Sequence, residues 1–91
     1  MFRLKCKFLR NLAGMDKSEF NKRLGLLIRK KRIEKGLTQL ELADSMNLDY
    51  QYISRMERGL ISPTLFWMTK LVSALDIPFS ELINEFEETV K

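Results

Sequence analysis

The chain has 91 residues, of which 45% are hydrophobic and 31% charged, and this composition predicts one small globular domain with a single modest core. No apolar run approaches the roughly 20 residues of a membrane span. The single cysteine, Cys6, excludes an internal disulfide and is typical of a cytoplasmic protein. The sequence has no histidine and shows no catalytic constellation, so we expect no enzyme activity, no cofactor and no metal site.

The net charge of +4 is divided unevenly along the chain. Residues 1–35 carry twelve Lys or Arg against three acids, a balance of +9, whereas residues 36–91 carry four against nine, a balance of −5. A basic segment attracts phosphate groups and gives salt-dependent affinity that is blind to base sequence. The balance therefore predicts a nucleic-acid partner that is attracted mainly by the N-terminal part of the chain.

Residues 1–17 are predicted to form a basic N-terminal arm. Apolar and basic residues alternate there with a period of two, which is the pattern of a β-strand, and a lone strand needs a partner strand. The alternating residues are Phe2, Arg3, Leu4, Lys5, Cys6, Lys7 and Phe8. One hypothesis is that the arm pairs with its copy in a dimer, and another is that Met15 is the natural start and the arm is incidental.

Residues 18–91 are predicted to form the folded domain, which opens with a long helix. Asp16 with Glu19, or Ser18, can cap its start, and Gly36 ends it. Its apolar stripe contains Phe20, Leu24, Leu27 and Ile28. The basic residues of this helix either contact DNA or form the solvated face of a helix packed elsewhere, and both interpretations stay open for Lys22, Arg23, Lys30 and Lys31.

Residues 36–59 are predicted to form two short helices joined by a tight turn. Thr38 and Glu41 have the spacing of a capping box, in which each side chain bonds the other residue's backbone amide. This helix should end near Met46. Asn47 follows it, and asparagine tolerates the left-handed conformation of a sharp turn better than any residue except glycine.

The second of these helices is predicted over about residues 49–58, with Asp49 as its cap and Gly59 just beyond its end. Ile53 and Met56 fall on its buried side. Gln and Arg side chains can pair with the edges of adenine and guanine through two hydrogen bonds each. The outer face carries Tyr50, Gln51, Tyr52, Ser54, Arg55 and Arg58.

Two further helices complete the predicted all-α domain. Ser62 and Pro63 should open a fourth helix, with Ser62 as its cap. Pro78 should start the last one. The last helix has more apolar positions than a small core needs, and this excess predicts a partner that contacts residues 79–90. Its predicted interface residues are Phe79, Leu82, Ile83, Phe86 and Val90.

Residues 24–83, about two thirds of the chain, resemble the lambda-repressor and Cro type of helix-turn-helix domain, the XRE family. The resemblance rests on the combination of IRKKRIEKGLTQ, ELA, YISRMERG and SP…L…LVSALDIPFSELI. It implies a compact bundle of five helices that binds double-stranded DNA as a homodimer, with residues 79–90 at the two-fold interface. Among the positions matched, Tyr50, Gln51 and Arg55 would contact base edges. Contacts to the DNA backbone are expected from Gln39, Tyr52, Ser54, Arg58 and Arg29.

The resemblance also implies a buried ion pair between the first and third helices, formed by Arg32 and Glu57. The residues support this pair independently. Arg32 lies on the apolar side of its helix with Leu24, and Glu57 follows the apolar Ile53 by four residues. Opposite charges on apolar faces are tolerated where they meet and hydrogen-bond. The alternative is two independent surface charges.

Two classes of function are compatible with the sequence. The first is a dimeric, sequence-specific transcriptional regulator acting on a short palindromic operator, with half-sites about 34–36 Å apart. The second is an antitoxin or other partner-binding protein, which would mask a toxin or another small protein and bind DNA only as a secondary role. A small protein that copurifies with the chain would favour the second class.

Overall fold

The computed structural model describes residues 11–90 of the chain. Five bounded helices occur in this range: α1 (Lys17–Glu34), α2 (Gln39–Ser45), α3 (Tyr50–Glu57), α4 (Leu65–Ala74) and α5 (Phe79–Thr89). Residues 11–13 are also helical, so this range holds six helical segments, one more than expected. The all-α class is confirmed for residues 11–90. The strand predicted for the arm falls on residues 2–8, which lie outside the described residues.

Side-chain caps fix where the first three helices begin. The Asp16 carboxylate accepts a hydrogen bond from the Glu19 backbone N–H at 2.8 Å. Thr38 and Glu41 form the predicted capping box, with bonds of 3.0 and 2.9 Å. The Asp49 carboxylate accepts from the backbone N–H at the second position of α3 at 2.9 Å. Such caps satisfy amides that a helix leaves unpaired, which explains why local sequence located these starts correctly.

The turn between α2 and α3 depends on Asn47. This residue has a φ of 57°, in the left-handed region, as its position after Met46 predicted. Met46 is the C-terminal cap of α2 and is buried. Because the chain reverses within four residues, α3 packs across both α1 and α2.

The cap of α4 is Thr64, so the prediction of Ser62 is wrong. The Thr64 hydroxyl accepts a hydrogen bond from the Trp67 backbone N–H at 3.3 Å. The Ser62 hydroxyl instead donates to the side-chain oxygen of Asn21, a buried residue of α1. Ser62 is therefore used to attach the loop to α1, and this partner lies 41 residues away in sequence, beyond the reach of local capping rules.

The core lies where α1, α2 and α3 meet, and it continues under α4 and α5. Its fully buried large side chains are Ile28, Leu42, Ile53, Met56, Leu71, Leu75 and Leu82. Leu12 and Met15 pack against this cluster from the N-terminal side. These two residues fall within the segment 1–17 that the sequence assigned to the arm, and they contact the core of the helical domain.

Gly25 allows α1 and α3 to cross closely. A Cβ atom at this position would lie 2.5 Å from the Met56 carbonyl oxygen and 2.6 Å from that of Glu57. Both obstructing atoms are backbone, so they cannot move aside as a flexible side chain could. The absence of a side chain at Gly25 thus sets how closely α3 approaches α1.

Most of the predicted dimer residues of α5 are buried within their own chain. Leu82, Phe86 and Val90 are core residues, and Phe79 is half-buried. Of the five, only Ile83 is exposed, at 40%. The three buried side chains are therefore used by the core of their own chain, because α5 packs against α1 and α4.

Lys31 is buried in the contact between α1 and α5 and is neither a solvated residue nor one available to DNA. Its ammonium group lies 3.2 Å from a carboxylate oxygen of Glu81, 3.6 Å from one of Glu34, and against Glu85. The hydrogen bond with Glu85 raises the pKa of Lys31 well above its ordinary value of 10.5, and this effect exceeds the opposing effect of burial. The lysine is thus an ionic link that holds α5 onto α1.

Candidate nucleic-acid interface

The outer face of α3 presents the three side chains that were predicted to contact bases. Tyr50 is 48% exposed, and Gln51 and Arg55 are exposed beside it. Ile53 and Met56, on the opposite side of the helix, are buried in the core. The helix therefore has one side fixed to the protein and another that projects amide, phenol and guanidinium groups to the outside. Such a face fits the major groove.

Arg58 and Ser54 lie along one edge of this face. The Arg58 guanidinium donates through Nε to the Ser54 carbonyl oxygen at 3.3 Å, a bond that does not use its Nη groups. Arg58 is exposed, and Ser54 is half-buried. A guanidinium offers five N–H donors, so Arg58 retains donors for a phosphate while it bonds its own helix.

The Glu57 carboxylate joins α3 to both preceding helices. Arg32 donates to it from Nε at 2.6 Å and from Nη2 at 3.1 Å, the two-bond geometry of a strong guanidinium–carboxylate pair. The same carboxylate accepts from the Gln39 side-chain amide at 3.1 Å. Arg32 also donates to the Leu37 carbonyl oxygen at 2.8 Å. The structure thus forms the ion pair expected between Arg32 and Glu57, and adds α2 to it through Gln39.

Gln39 is half-buried at the start of α2 and is engaged within the protein. Its side-chain nitrogen has two N–H donors, and one of them is used by Glu57. A phosphate contact from Gln39 therefore has to use the second donor. In this arrangement the residue links the buried carboxylate of Glu57 to the surface.

Tyr52 differs from Tyr50, Gln51, Arg55 and Arg58 because it is half-buried. Its ring lies against Trp67 of α4, with ring centroids 6.1 Å apart and planes inclined at 51°. Burial raises the pKa of the Tyr52 phenol above its ordinary value of 10.0. Tyr52 therefore connects α3 to α4, a contact that its place on the helix face does not reveal.

The basic residues of α1 have different surroundings. Arg29, Lys22 and Lys30 are exposed, so they remain available to a phosphate backbone. The Arg23 guanidinium is bound at 2.7 Å to Glu19 and also donates to the Thr89 carbonyl oxygen of α5. Of the four residues left open by the sequence, Lys22 and Lys30 keep exposed charges, whereas Arg23 is held by α1 and α5.

Sequence reasoning missed two connections that position the outer face of α3, those made by Gln39 and by Tyr52. Gln39 follows the cap of α2, and nothing in the local pattern pairs it with a residue 18 positions later. For Lys31, by contrast, a sequence signal existed. It extends the spacing of Leu24, Leu27 and Ile28 and so continues the buried stripe of α1.

No group of three or more His, Cys, Asp or Glu side chains within residues 11–90 is arranged to hold a metal ion. None of the helices in the same range is long and apolar enough to cross a membrane. The arrangement that the described residues do present is a helix pair with an exposed polar second helix, which defines a helix-turn-helix protein.

Comparison with known proteins gives the same result. A family model described as helix-turn-helix matches residues 28–82, more than half of the chain, and the chain belongs to this family. The resemblance to the XRE, lambda-repressor-like type is therefore confirmed. One similar protein is the uncharacterized HTH-type transcriptional regulator y4dJ of Sinorhizobium fredii. It is 35% identical over 71 residues, which cover 78% of this chain and 92% of that protein.

Solved structures of restriction-modification controller proteins are also similar. C.AhdI from Aeromonas hydrophila is 39% identical with a TM-score of 0.65, and the match covers 67% of this chain and 92% of that chain. C.Esp1396I, solved as a tetramer in complex with its natural 35 base-pair operator, is 28% identical with a TM-score of 0.73. That match covers 78% of this chain and 93% of the controller protein.

Proposed function

We propose that this helix-turn-helix protein is a sequence-specific transcriptional regulator that binds a palindromic operator as a homodimer in the cytoplasm. The exposed polar face of α3, supported from behind by the ion pair of Arg32 with Glu57, is the observation that carries the proposal. A rigid helix with projecting amide and guanidinium groups can present fixed hydrogen-bond donors and acceptors to base edges. The names of the relatives as transcriptional regulators and controller proteins agree with it.

Base selection is assigned to Tyr50, Gln51 and Arg55. These side chains are exposed on the N-terminal two turns of α3, the part of a recognition helix that approaches the bases. A two-bond pair between Arg or Gln and its base contributes about 1–3 kcal/mol of discrimination. Three such side chains in each of two half-sites are enough to select a short operator.

Affinity that does not depend on base sequence is assigned to the surrounding cations and polar groups. Arg29 of α1 and Arg58 at the end of α3 are exposed and supply positive charge at the edges of the base-contacting face. Ser54, Tyr52 and the second amide donor of Gln39 would contact the backbone beside them. Each neutralised phosphate steepens the salt dependence of binding, so this part of the affinity should fall strongly with ionic strength.

Self-association is assigned to exposed apolar side chains of α4 and α5, because Leu82, Phe86 and Val90 are used by the core. The exposed large apolar residues of these two helices are Leu65, Phe66 and Ile83. Phe79, at the start of α5, is half-buried and lies, like these three residues, in the C-terminal part of the chain. C.Esp1396I assembles as a tetramer on its operator, which favours an oligomeric form for this protein too.

Selection from a pool of random DNA duplexes at a stated salt concentration tests the proposed function. We expect one enriched sequence with two-fold symmetry and half-sites about one helical turn, or about 34–36 Å, apart. Sedimentation of the protein with the selected duplex should give two chains per site, or a multiple of two. An unenriched pool, or a site without symmetry, would contradict the proposal. The relatives named above favour this class over the antitoxin.

A further inference from the structure

Three aromatic rings form a chain of contacts from the recognition helix α3 to the surface of α4. Tyr52 on α3 contacts Trp67, with ring centroids 6.1 Å apart. Trp67 contacts Phe66 edge to face, with centroids 5.1 Å apart and planes inclined at 70°. The Lys70 ammonium lies 5.5 Å from the centroid of the Phe66 ring on its outer side. A single path of touching side chains thus connects the DNA-binding face to another surface of the molecule.

The exposed fraction of the side chains is greater at the Phe66 end of this aromatic chain. Tyr52 and Trp67 are half-buried, whereas Phe66 is 59% exposed. An exposed ring keeps rotational freedom that a buried one has lost. The Trp67 indole therefore has a half-buried neighbour, Tyr52, on one side and an exposed neighbour, Phe66, on the other. Its movement toward Phe66 is less restricted than its movement toward Tyr52. Contact of another molecule with Phe66 would remove that freedom.

The position of Tyr52 matters to the base-contacting residues because all of them belong to one helix. Tyr52 follows Gln51 directly and precedes Arg55 by three residues, which is almost one helical turn. The buried side of α3 is held to α1 at Glu57, near the C-terminal end of the helix. Trp67 contacts Tyr52 in the other half, which also carries Tyr50 and Gln51, two of the three residues assigned to base selection.

We propose that Trp67 is a positioning residue that couples the exposed ring of Phe66 to the orientation of Tyr52, so that contact with a second copy at Phe66 increases operator selectivity. This inference rests on the proposed function, since it assumes both operator binding and self-association. Trp67 itself contacts neither DNA nor the second copy. It acts by restricting the tilt of the N-terminal half of α3, which carries Tyr50 and Gln51.

The variants Trp67→Leu and Trp67→Phe test the positioning role. The readout is the ratio of affinities for the selected operator and for random duplex. Trp67→Leu should lower this ratio about threefold to tenfold, the size of one aromatic contact, with affinity for random DNA little changed. Trp67→Phe keeps a ring and should recover most of the ratio. A ratio unchanged by Trp67→Leu, or equal losses on both duplexes, would overturn the proposal.

Phe20→Leu is the matched control, because it removes a ring from another aromatic pair. Phe20 contacts Phe86 of α5, with centroids 4.9 Å apart, and lies on α1. This variant should lose stability but keep the affinity ratio of the parent protein. If Phe20→Leu lowers the ratio as much as Trp67→Leu does, the effect is general loosening and the positioning role is refuted.

A second measurement uses the unaltered protein, so it does not depend on how well a variant folds. Trp67 is the single tryptophan of the chain, so its emission reports this site alone. The emission should shift on dilution, with the same midpoint as the dimer dissociation determined by sedimentation. Constant emission through dissociation would overturn the coupling. An absence of dimers or of a selected operator would instead refute the proposed function itself.

Discussion

Glu57 is the residue on which the geometry of the candidate interface depends most directly. Its buried carboxylate accepts two hydrogen bonds from Arg32 and one from Gln39, so a single side chain joins α1, α2 and α3. The carboxylate loses its hydration on burial and regains its hydrogen bonds from these donors. The same contacts that stabilise the fold therefore also fix the orientation of the outer face of α3.

Removing the charge of Glu57 should destabilise the protein strongly. In Glu57→Gln the Arg32 guanidinium stays in place without its counter-charge, and the usual cost of breaking a buried pair is about 3–5 kcal/mol. Urea unfolding measures the change in free energy. The double variant Arg32→Met with Glu57→Met is the control, because it removes both charges and should recover part of the loss. A double variant less stable than Glu57→Gln would contradict this account.

Arg55 and Arg58 allow a comparison of two arginines on one helix. Arg55→Ala should relax base preference at one position of each half-site, at a cost of about 1–3 kcal/mol on the operator and less on random DNA. Arg58→Ala should weaken both duplexes alike and reduce the dependence of affinity on salt. Titrations with both duplexes at two salt concentrations separate the roles. Equal losses on both duplexes for Arg55→Ala would refute its part in base selection.

At the scale of elements, the crossing of α1 and α3 is set by the missing side chain of Gly25. In Gly25→Ala the new Cβ would meet two carbonyl oxygens at 2.5 and 2.6 Å. We expect α3 to be displaced, at a cost of about 1–3 kcal/mol from overpacking. The folded variant should also lose operator affinity, since the helix that carries the base-contacting residues has moved.

Gly36→Ala is the control for Gly25→Ala, because it adds the same methyl group in open space. Gly36 has a φ of 72° and nothing lies within 4 Å of the added Cβ. The cost there is the left-handed conformation alone, about 1–2 kcal/mol. Gly36→Ala should therefore lower stability while its folded form binds the operator normally. If both variants keep operator affinity, the crossing distance does not control DNA binding.

Adjacent residues of α5 should respond oppositely to the same change. Ile83 is 40% exposed and Leu82 fully buried, at 0%. Ile83→Glu should weaken self-association and leave the fold intact, because the new carboxylate stays in water. Leu82→Glu places a charge in the core and should prevent folding. Sedimentation and circular dichroism distinguish the two outcomes. A folded Ile83→Glu variant that dimerises as the parent protein does would exclude Ile83 from the interface.

At the scale of the whole molecule, Lys31 should make the free energy of unfolding decrease at alkaline pH. The pKa of Lys31 in the folded protein lies above its unfolded value, so the ion pairs contribute fully below about pH 10.5 and are lost as pH rises further. Unfolding free energy measured over about pH 8–12 should be level and then fall. Lys31→Met should be less stable at neutral pH, with a weaker decline. An equally steep decline in Lys31→Met would assign the effect to other groups, among them Tyr52.

Much of the fold could be predicted because the residues that begin helices and form turns act over short distances in sequence. The caps Asp16, Thr38 and Asp49 and the turn residue Asn47 act within a few residues of themselves, and all four occur as expected. The ion pair of Arg32 with Glu57 spans 25 residues, yet it was accessible because the family resemblance implies it and both charges interrupt apolar stripes. Lys31 also continues the buried stripe of α1, but its partners in α5 are about fifty residues away and the resemblance does not name them.

The sequence by itself determined that the domain from residue 18 onward would consist of helices, where the helix pair lies, and which polar groups α3 carries. Periodicity defines an apolar stripe but not what covers it, and only the tertiary structure decided that α5 covers its own core and leaves Ile83 outside. Tertiary contacts also decided that Ser62 hydrogen-bonds to Asn21 of α1 and that the Tyr52 ring packs against Trp67. The physical reason is that caps and turns are short-range, whereas burial depends on which segments meet in space.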